Sequence, residues 1–423
     1  MKVAIYSLGC KVNIYESEFV ISLLKKNNYE IVNFNEKADI YIINTCSVTN
    51  ESDRKSRKAI SLAKKNNKDA IIVVMGCYSQ VKADEIDDGV DIIIGNKYKS
   101  KIIELIEECI LKKEKIKQIE NLRNTSFENM EITKFDNHTR AFVKIQDGCN
   151  AFCSYCIIPY TRGGIRSKKE EDVIKEITNL VNNGYKEIIL TGIHTGKYGI
   201  DINSSLEILL NKLVKIKGIY RIRLSSIEIN EITDGIIDLI KNNKVMAKHL
   251  HIPLQSGSNT ILKLMNRKYD LDYFLSKIED IKKQIKDISI TTDLIVGFPN
   301  EDDLCFEETL NTLNKIKFMH IHTFPYSKRE GTKASVMPNQ VDGNIKKKRV
   351  REVLEISNKY ESEFYQSNIG KTMDGVAEVR KDKIVVHTTN FIPIIIEDKV
   401  NNNEVVNVKI TKVDGLEVYG KIV

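Results

Sequence analysis

The chain has 423 residues, 42% of them hydrophobic, none of them tryptophan, and a net charge of +7 from 65 basic and 58 acidic side chains. That length supports two or three domains with cores of their own. No stretch approaches 18 uninterrupted apolar residues, which excludes a helical membrane span; the apolar part of "MKVAIYSLGC" is too short for a signal-peptide core, so the expected compartment is the cytoplasm.

From residue 1 to about 125, short β-branched runs alternate with charged amphipathic stretches. "KVAIYSL", "ADIYIINT", "AIIVVMG" and "VDIIIG" are expected as buried parallel strands, because near-continuous apolar runs mean that both faces are covered. Helices between them give an open α/β sheet. Within this block, Asp53 to Lys68 carries seven basic residues against one acid, a pattern that suits a phosphate backbone and equally a solvated helix face. Residues from about 112 to 138 are polar with few apolar anchors and are expected as a linker or irregular connection.

Between about 139 and 368 the alternation repeats at greater length, with "AFVKIQ", "KEIILT", "YRIRLSS", "KHLHIPLQ", "ISITTDLIVG" and "FMHIHTFPY" as six strands. Six successive βα units suggest a partial TIM-like barrel, (βα)6, with its chemistry at the carboxyl ends of the strands. Residues 369–423 change character again. Short strands separated by Asn, Asp and Gly predict a small all-β barrel.

Eight cysteines in a reducing compartment point to metal or catalysis before disulfides. Cys149, Cys153 and Cys156 follow the "AFVKIQ" strand as C-x3-C-x2-C, so one tight loop presents three sulfurs, and Gly148 allows the turn out of the strand. Four thiolates would saturate a four-iron cluster; three leave one iron open to an exogenous ligand. A three-cysteine zinc site completed by His138 or His194, or three structural cysteines, are the alternatives.

With Tyr155 before the last cysteine, this motif resembles that of the radical S-adenosylmethionine superfamily. The resemblance implies that the open iron chelates the cofactor's amino and carboxylate groups and that one electron cleaves it to methionine and a 5′-deoxyadenosyl radical. It also implies cofactor contacts at Tyr155, at Gly192 in "LTGIHTG", at Glu228 and Gln255 at strand ends, and at Val296 in "DLIVGFPNE". That last string departs from the superfamily's G-x-I-x-G-x-x-E pattern, with Asp293 in place of the first glycine. Singly, each of these residues could equally serve a turn.

Cys10, Cys46 and Cys77 follow the first, second and third strands, 36 and 31 residues apart. Residues just past successive parallel strands lie along one carboxyl edge, so these thiols can converge as a second set of three. Separately they would be small buried hydrophobes. Cys109 and Cys305 lack such company and are expected in apolar faces.

A second cysteine trio ahead of a radical barrel and a terminal β-barrel resembles the methylthiotransferase family over essentially the whole chain. The resemblance implies two [4Fe-4S] clusters and S-adenosylmethionine: an auxiliary cluster on Cys10, Cys46 and Cys77 in a domain spanning 1–125, the radical cluster on Cys149, Cys153 and Cys156 in a core spanning 139–368, and a TRAM domain, RNA-binding in most members, at 369–423. Lys11, Val12 and Asn13 after the first cysteine, and Val48, Thr49 and Asn50 after the second, resemble the branch that modifies N6-threonylcarbamoyladenosine beside the tRNA anticodon, at position 37. There the adenine C2 hydrogen would be abstracted and a methylthio group inserted. A radical is needed because no protein base usefully removes that proton. Arg54, Lys55, Arg57 and Lys58 are candidates to grip tRNA phosphates. The expected partners are tRNA, a low-potential electron donor such as flavodoxin or ferredoxin, and a sulfur source. The alternatives are methylthiolation of N6-isopentenyladenosine or of a ribosomal-protein aspartate, and a non-catalytic iron–sulfur protein that binds RNA or senses redox state.

Overall fold

The computed structural model of the chain describes residues 1–423 apart from 87–88, 136–137 and 381–382. Its first layer is a six-stranded sheet in the order β2-β1-β3-β4-β5-β6, parallel throughout. The strands are β1 (Lys2–Ser7), β2 (Glu30–Val32), β3 (Ile40–Thr45), β4 (Ile71–Gly76), β5 (Ile92–Ile94) and β6 (Ile116–Gln118). Every residue of β3 is buried, which is why its sequence reads as a continuous apolar run. The edge strands β2 and β6 were not expected. Each has three residues, and the partly exposed "EIV" and "IKQ" are too short for any periodicity.

Helices leave the carboxyl ends of the central strands directly. Lys11–Lys26 follows β1, Asn50–Asn66 follows β3 and Cys77–Lys82 follows β4. In Asn50–Asn66, Thr49 caps the start by accepting from Ser52 N–H, Glu51 and Asp53 occupy the first turn, and Lys64 and Lys65 the last, in keeping with the helix dipole. Ser56, Ala59, Ile60 and Ala63 form its buried stripe at helical spacing.

Six parallel strands follow in sequence order around an incomplete barrel: β7 (Ala141–Asp147), β9 (Glu187–Gly192), β10 (Arg221–Leu224), β11 (His249–His251), β12 (Ser289–Val296) and β13 (His320–Pro325). Isolated bridges Ile222–Met246 and Ser226–His251 join the β10 and β11 segments. A short β8 (Arg166–Ser167) pairs antiparallel with the outer edge of β7. All six expected barrel strands are present, and the Lys11–Lys26 helix of the first domain packs against β7 and β9.

The stretch between the two units is fastened more firmly than its polar sequence predicts. Met130, Ile132 and Phe135 are buried in the main core. Glu176 accepts from both Ile132 N–H, at 2.9 Å, and Tyr15 O–H, at 2.8 Å.

At the carboxyl end, β14 (Thr372–Arg380), β15 (Lys383–Thr388), β16 (Pro393–Ile396), β17 (Val405–Asp414) and β18 (Glu417–Ile422) close a barrel in the order β14-β15-β16-β18-β17. Val386, Ile394, Val408, Ile410 and Val418 fill it. Closure removes free strand edges. Arg221 and Arg223 of β10 clamp this barrel to the larger one through the carbonyls of His387 and Thr388, at 2.9 and 3.0 Å.

Candidate active site

The Cys149–Cys156 loop leaves the carboxyl end of β7 through Gly148, at φ +75°. A Cβ there would fall 1.8 Å from the Gly164 carbonyl oxygen, so only glycine fits. The loop is pinned at its middle. Ser154 N–H donates to Met265 O at 3.0 Å, its hydroxyl to Leu264 O at 2.7 Å, and its carbonyl accepts from Ala334 N–H at 2.8 Å. Cys149, Cys153 and Cys156 are all partly exposed. His194 Nδ1 lies 3.2 Å from Cys149 Sγ, and Arg267 donates to Cys153 Sγ at 3.4 Å. Burial and then the neighbouring Cys153 push the Cys156 thiol up to about 12.

The second trio is assembled by sheet register. Ser7 pairs with Asn44, and Thr45 with Gly76, so the ends of β1, β3 and β4 are level and Cys10, Cys46 and Cys77 emerge together. Two glycines make the approach possible. A Cβ on Gly9 would meet the Cβ and Sγ of Cys46 at 2.8 and 3.0 Å, and one on Gly76, at φ +107°, would meet Thr45 O at 2.5 Å. Cys46 and Cys77 are buried, while Cys10 stays accessible. Burial, followed by Cys77, pushes the Cys46 thiol up to about 11.

Beneath the trio lies a fully buried cluster of charges. Glu16 accepts from Lys144 at 2.8 Å and Arg162 at 2.9 Å, with Lys99 at 3.3 Å; Asp147 takes Lys144 at 2.8 Å and Arg162 at 3.2 Å. Lys99, Lys144 and Arg162, with Arg166 at 3.7 Å from Asp147, thus surround Glu16 and Asp147, four cations to two carboxylates. The excess sits beside the sulfurs: Arg162 interacts electrostatically with Cys77, and its Nε is buried without a partner. Three thiols with surplus positive charge fit an anionic thiolate-bound cluster, since buried charge must be compensated. Among the described residues, no three His, Cys, Asp or Glu side chains close on a single metal ion. His138 is remote from both trios, edge-on to Phe135 and Phe142.

One cavity of about 370 Å³ joins the two cysteine sets, with Cys10 and Cys156 both in its wall. Tyr155, Gln255, Asp293 and Tyr326 also line it, and the Tyr326 hydroxyl is buried without a partner, as a site for a polar ligand requires. Gln255 holds φ +64° where its carbonyl accepts from Ile295 N–H. A second cavity of about 230 Å³ on the other flank of the loop is lined by Cys153, His194, Glu228 and Arg267, with Glu228 bonded to Arg267.

The sequence-predicted residues therefore divide. Tyr155 and Gln255 share the cavity with the cysteines, and Glu228 lies across the loop from them. Gly192 ends β9 where a Cβ would press on Gln146. Val296 is fully buried in the barrel wall, with its carbonyl taken by Tyr326 N–H. Arg54, Lys55, Arg57 and Lys58 are exposed on the first turns of Asn50–Asn66; Arg54 is committed to Glu51 at 2.6 Å. Cys109 and Cys305 are buried in apolar surroundings. Sequence reasoning missed Glu16, Arg162 and Arg267. The one available signal was Lys144, a charge inside an otherwise apolar strand.

A parallel barrel with a three-cysteine loop at its mouth defines a radical S-adenosylmethionine enzyme, here with a second thiol trio facing the first. Residues 143–313 match the family model described as Radical SAM superfamily, and residues 2–95 match Uncharacterized protein family UPF0004. The threonylcarbamoyladenosine tRNA methylthiotransferase MtaB of Bacillus subtilis is 41% identical, over 97% of this chain and 94% of its own. The tRNA-2-methylthio-N(6)-dimethylallyladenosine synthase of Thermoanaerobacter pseudethanolicus is 36% identical, over 99% and 92%. In fold the chain resembles the radical S-adenosylmethionine methyltransferase TsrM from Kitasatospora setae, with a TM-score of 0.56 at 12% identity over 79% of this chain and 77% of that one. The chain belongs to the radical S-adenosylmethionine methylthiotransferase family, in its MtaB branch, whose enzymes use S-adenosylmethionine and [4Fe-4S] clusters.

Proposed function

We propose that the chain converts N6-threonylcarbamoyladenosine at position 37 of tRNA to its 2-methylthio derivative. The observation that carries this reading is the single cavity walled by Cys10 and Cys156, one sulfur from each trio. When bound, S-adenosylmethionine at a cluster held by Cys149, Cys153 and Cys156 would supply a 5′-deoxyadenosyl radical for the adenine C2 hydrogen; a cluster held by Cys10, Cys46 and Cys77 would supply the sulfur, and a second S-adenosylmethionine its methyl group. The protein positions, shields and balances charge. Ser154 anchors the loop that carries the first three thiolates, and Arg162 compensates the second three. Tyr155, Gln255 and the Tyr326 hydroxyl offer an aromatic face and polar groups to a nucleoside or cofactor in the cavity.

We assign each domain a part. In this reading residues 1–125 hold the auxiliary cluster, 139–368 form the radical core and 369–423 the TRAM barrel. Arg54, Lys55, Arg57 and Lys58 contact tRNA phosphates. A flavodoxin or ferredoxin delivers electrons, and a sulfur donor renews the transferred sulfur. No helix among the described residues is long and apolar enough to cross a membrane.

The test is nucleoside mass analysis of tRNA from cells with and without the active protein, backed by a reconstituted assay. The expected product is 2-methylthio-N6-threonylcarbamoyladenosine. Methylthiolation of isopentenyladenosine instead, or no 5′-deoxyadenosine from the reduced two-cluster protein, overturns the reading.

A further inference from the structure

Below the cavity that joins the cysteines, the barrel holds a second chamber of about 330 Å³, walled by Lys11, Arg140, Arg223 and histidines from two strands. The two spaces are stacked along the same inner faces. On β12 the inward residues run Thr291, Asp293, Ile295, and on β13 His320, His322, Phe324; the upper members line the cysteine cavity and the lower ones this chamber. Cys10 and Lys11, adjacent in sequence, divide between them in the same way.

The chamber's polar groups are unequally occupied. Arg223 is committed to Glu187 at 2.9 Å and to Thr388 O at 3.0 Å. The nearby carboxylates have partners, Asp293 with His251 at 3.3 Å and Glu361 with His320 at 2.7 Å. Arg140 reaches its nearest carboxylates only at 3.9 and 4.0 Å. Lys11 makes no hydrogen bond or ion pair among the described residues. Arg140 and Arg223 line the same chamber as Lys11. His249 Nδ1 is buried in the wall without a partner. A cation crowded by cations beside an unpartnered nitrogen is a site for an anion that the chain itself does not provide.

Substrate chemistry supplies that anion. A threonine joined through its nitrogen to a carbamoyl group on adenine N6 keeps a free carboxylate. C2 and C6 of the ring are separated by N1, so an adenine whose C2 faces the cysteines sends its N6 substituent away from them. We infer that Lys11, with Arg140 and the histidine layer, binds the threonyl carboxylate of the substrate and so selects threonylcarbamoyl over apolar N6 groups. The inference rests on the proposed substrate and adds the residues that recognise it.

The experiment uses the full chain reconstituted with both clusters and an anticodon stem-loop RNA carrying the threonylcarbamoyl base. A second RNA carries the same base with its carboxyl as the methyl ester. Equilibrium binding by fluorescence anisotropy is expected to favour the free acid about tenfold or more in the wild type, the size of a charged hydrogen bond. Lys11→Met is expected to abolish that preference, with Lys11→Gln as a second variant should the first fail to fold. Equal binding of acid and ester by the wild type overturns the inference, as does a preference that survives Lys11→Met. Whether the wild type forms 2-methylthio product on the acid RNA is scored separately: absence of product removes the substrate reading, whereas product without the acid preference removes only the role of Lys11.

Discussion

Arg162, beside the radical loop, donates to Glu16, on the first helix of the amino-terminal domain, at 2.9 Å with both side chains wholly buried. Their 146-residue separation makes this pair a direct tie between the sheet that carries one cysteine trio and the loop that carries the other. Removing Arg162 takes charged hydrogen bonds from Glu16 while Lys144 and Lys99 remain beside it, at a cost of about 1.5–3 kcal/mol. Arg162→Met is expected to lower the urea midpoint of the cluster-free protein accordingly. A loss below about 1 kcal/mol would mean that the pair does not hold the domains.

Glu16 also sets an acid limit. Burial opposes its charge, but Arg162, Lys144 and Lys99 outweigh it and hold the carboxyl well below the usual range. A carboxylate depressed in the folded state stabilises the fold fully above its unfolded pKa, about 4.3, and loses that contribution as pH falls through the folded value. Urea unfolding of the wild type should therefore weaken below pH ~4.3, and Glu16→Gln, already weaker at neutral pH, should fall less steeply. Parallel acid limbs would contradict the assignment.

The two trios are separable by chemistry. With Cys10, Cys46 and Cys77 all changed to alanine, the protein is expected to retain 5′-deoxyadenosine formation and to lose methylthio transfer. Cys149→Ala should abolish both. Liquid chromatography with mass detection reads each product, and sulfur transfer by the first variant would exclude the auxiliary role.

Gly148→Ala places a methyl group against the Gly164 carbonyl. Made in a chain already lacking Cys10, Cys46 and Cys77, it is expected to remove most of the remaining iron after reconstitution. The iron-to-protein ratio is the measurement, and unchanged iron would mean that the loop tolerates a shifted exit.

Arg54, Lys55, Arg57 and Lys58, if they meet phosphates, contribute to salt dependence. Each phosphate contact adds about −0.7 to −0.9 to the slope of log affinity against log salt. Replacing Arg57 and Lys58 with alanine should flatten the slope for tRNA by about one to two. An unchanged slope would leave them as an ordinary solvated helix face.

The sequence revealed what repeats and what clusters locally. Buried strands such as β3 and β12 are long enough to declare themselves, and C-x3-C-x2-C needs only one loop. The second trio could be read because parallel sheets align strand ends. The charge cluster could not, because Lys144, Glu16 and Arg162 come from three distant segments and nothing in their local sequence names a partner. Lys11 was visible only as part of a string resembling one family branch; its place in a chamber beneath the cysteines depends on how the first domain seats against the barrel.

Arg223 belongs to two structures at once. It walls the chamber beneath the cysteines, and it grips the carbonyl of Thr388 in the small terminal barrel, whose Phe391 and Pro393 close the same chamber. The carboxyl-terminal barrel is therefore the floor of that chamber as well as an appendage. Trimming it would open that floor to water and free a guanidinium from its carbonyl partner, so the two barrels cannot be engineered as independent modules.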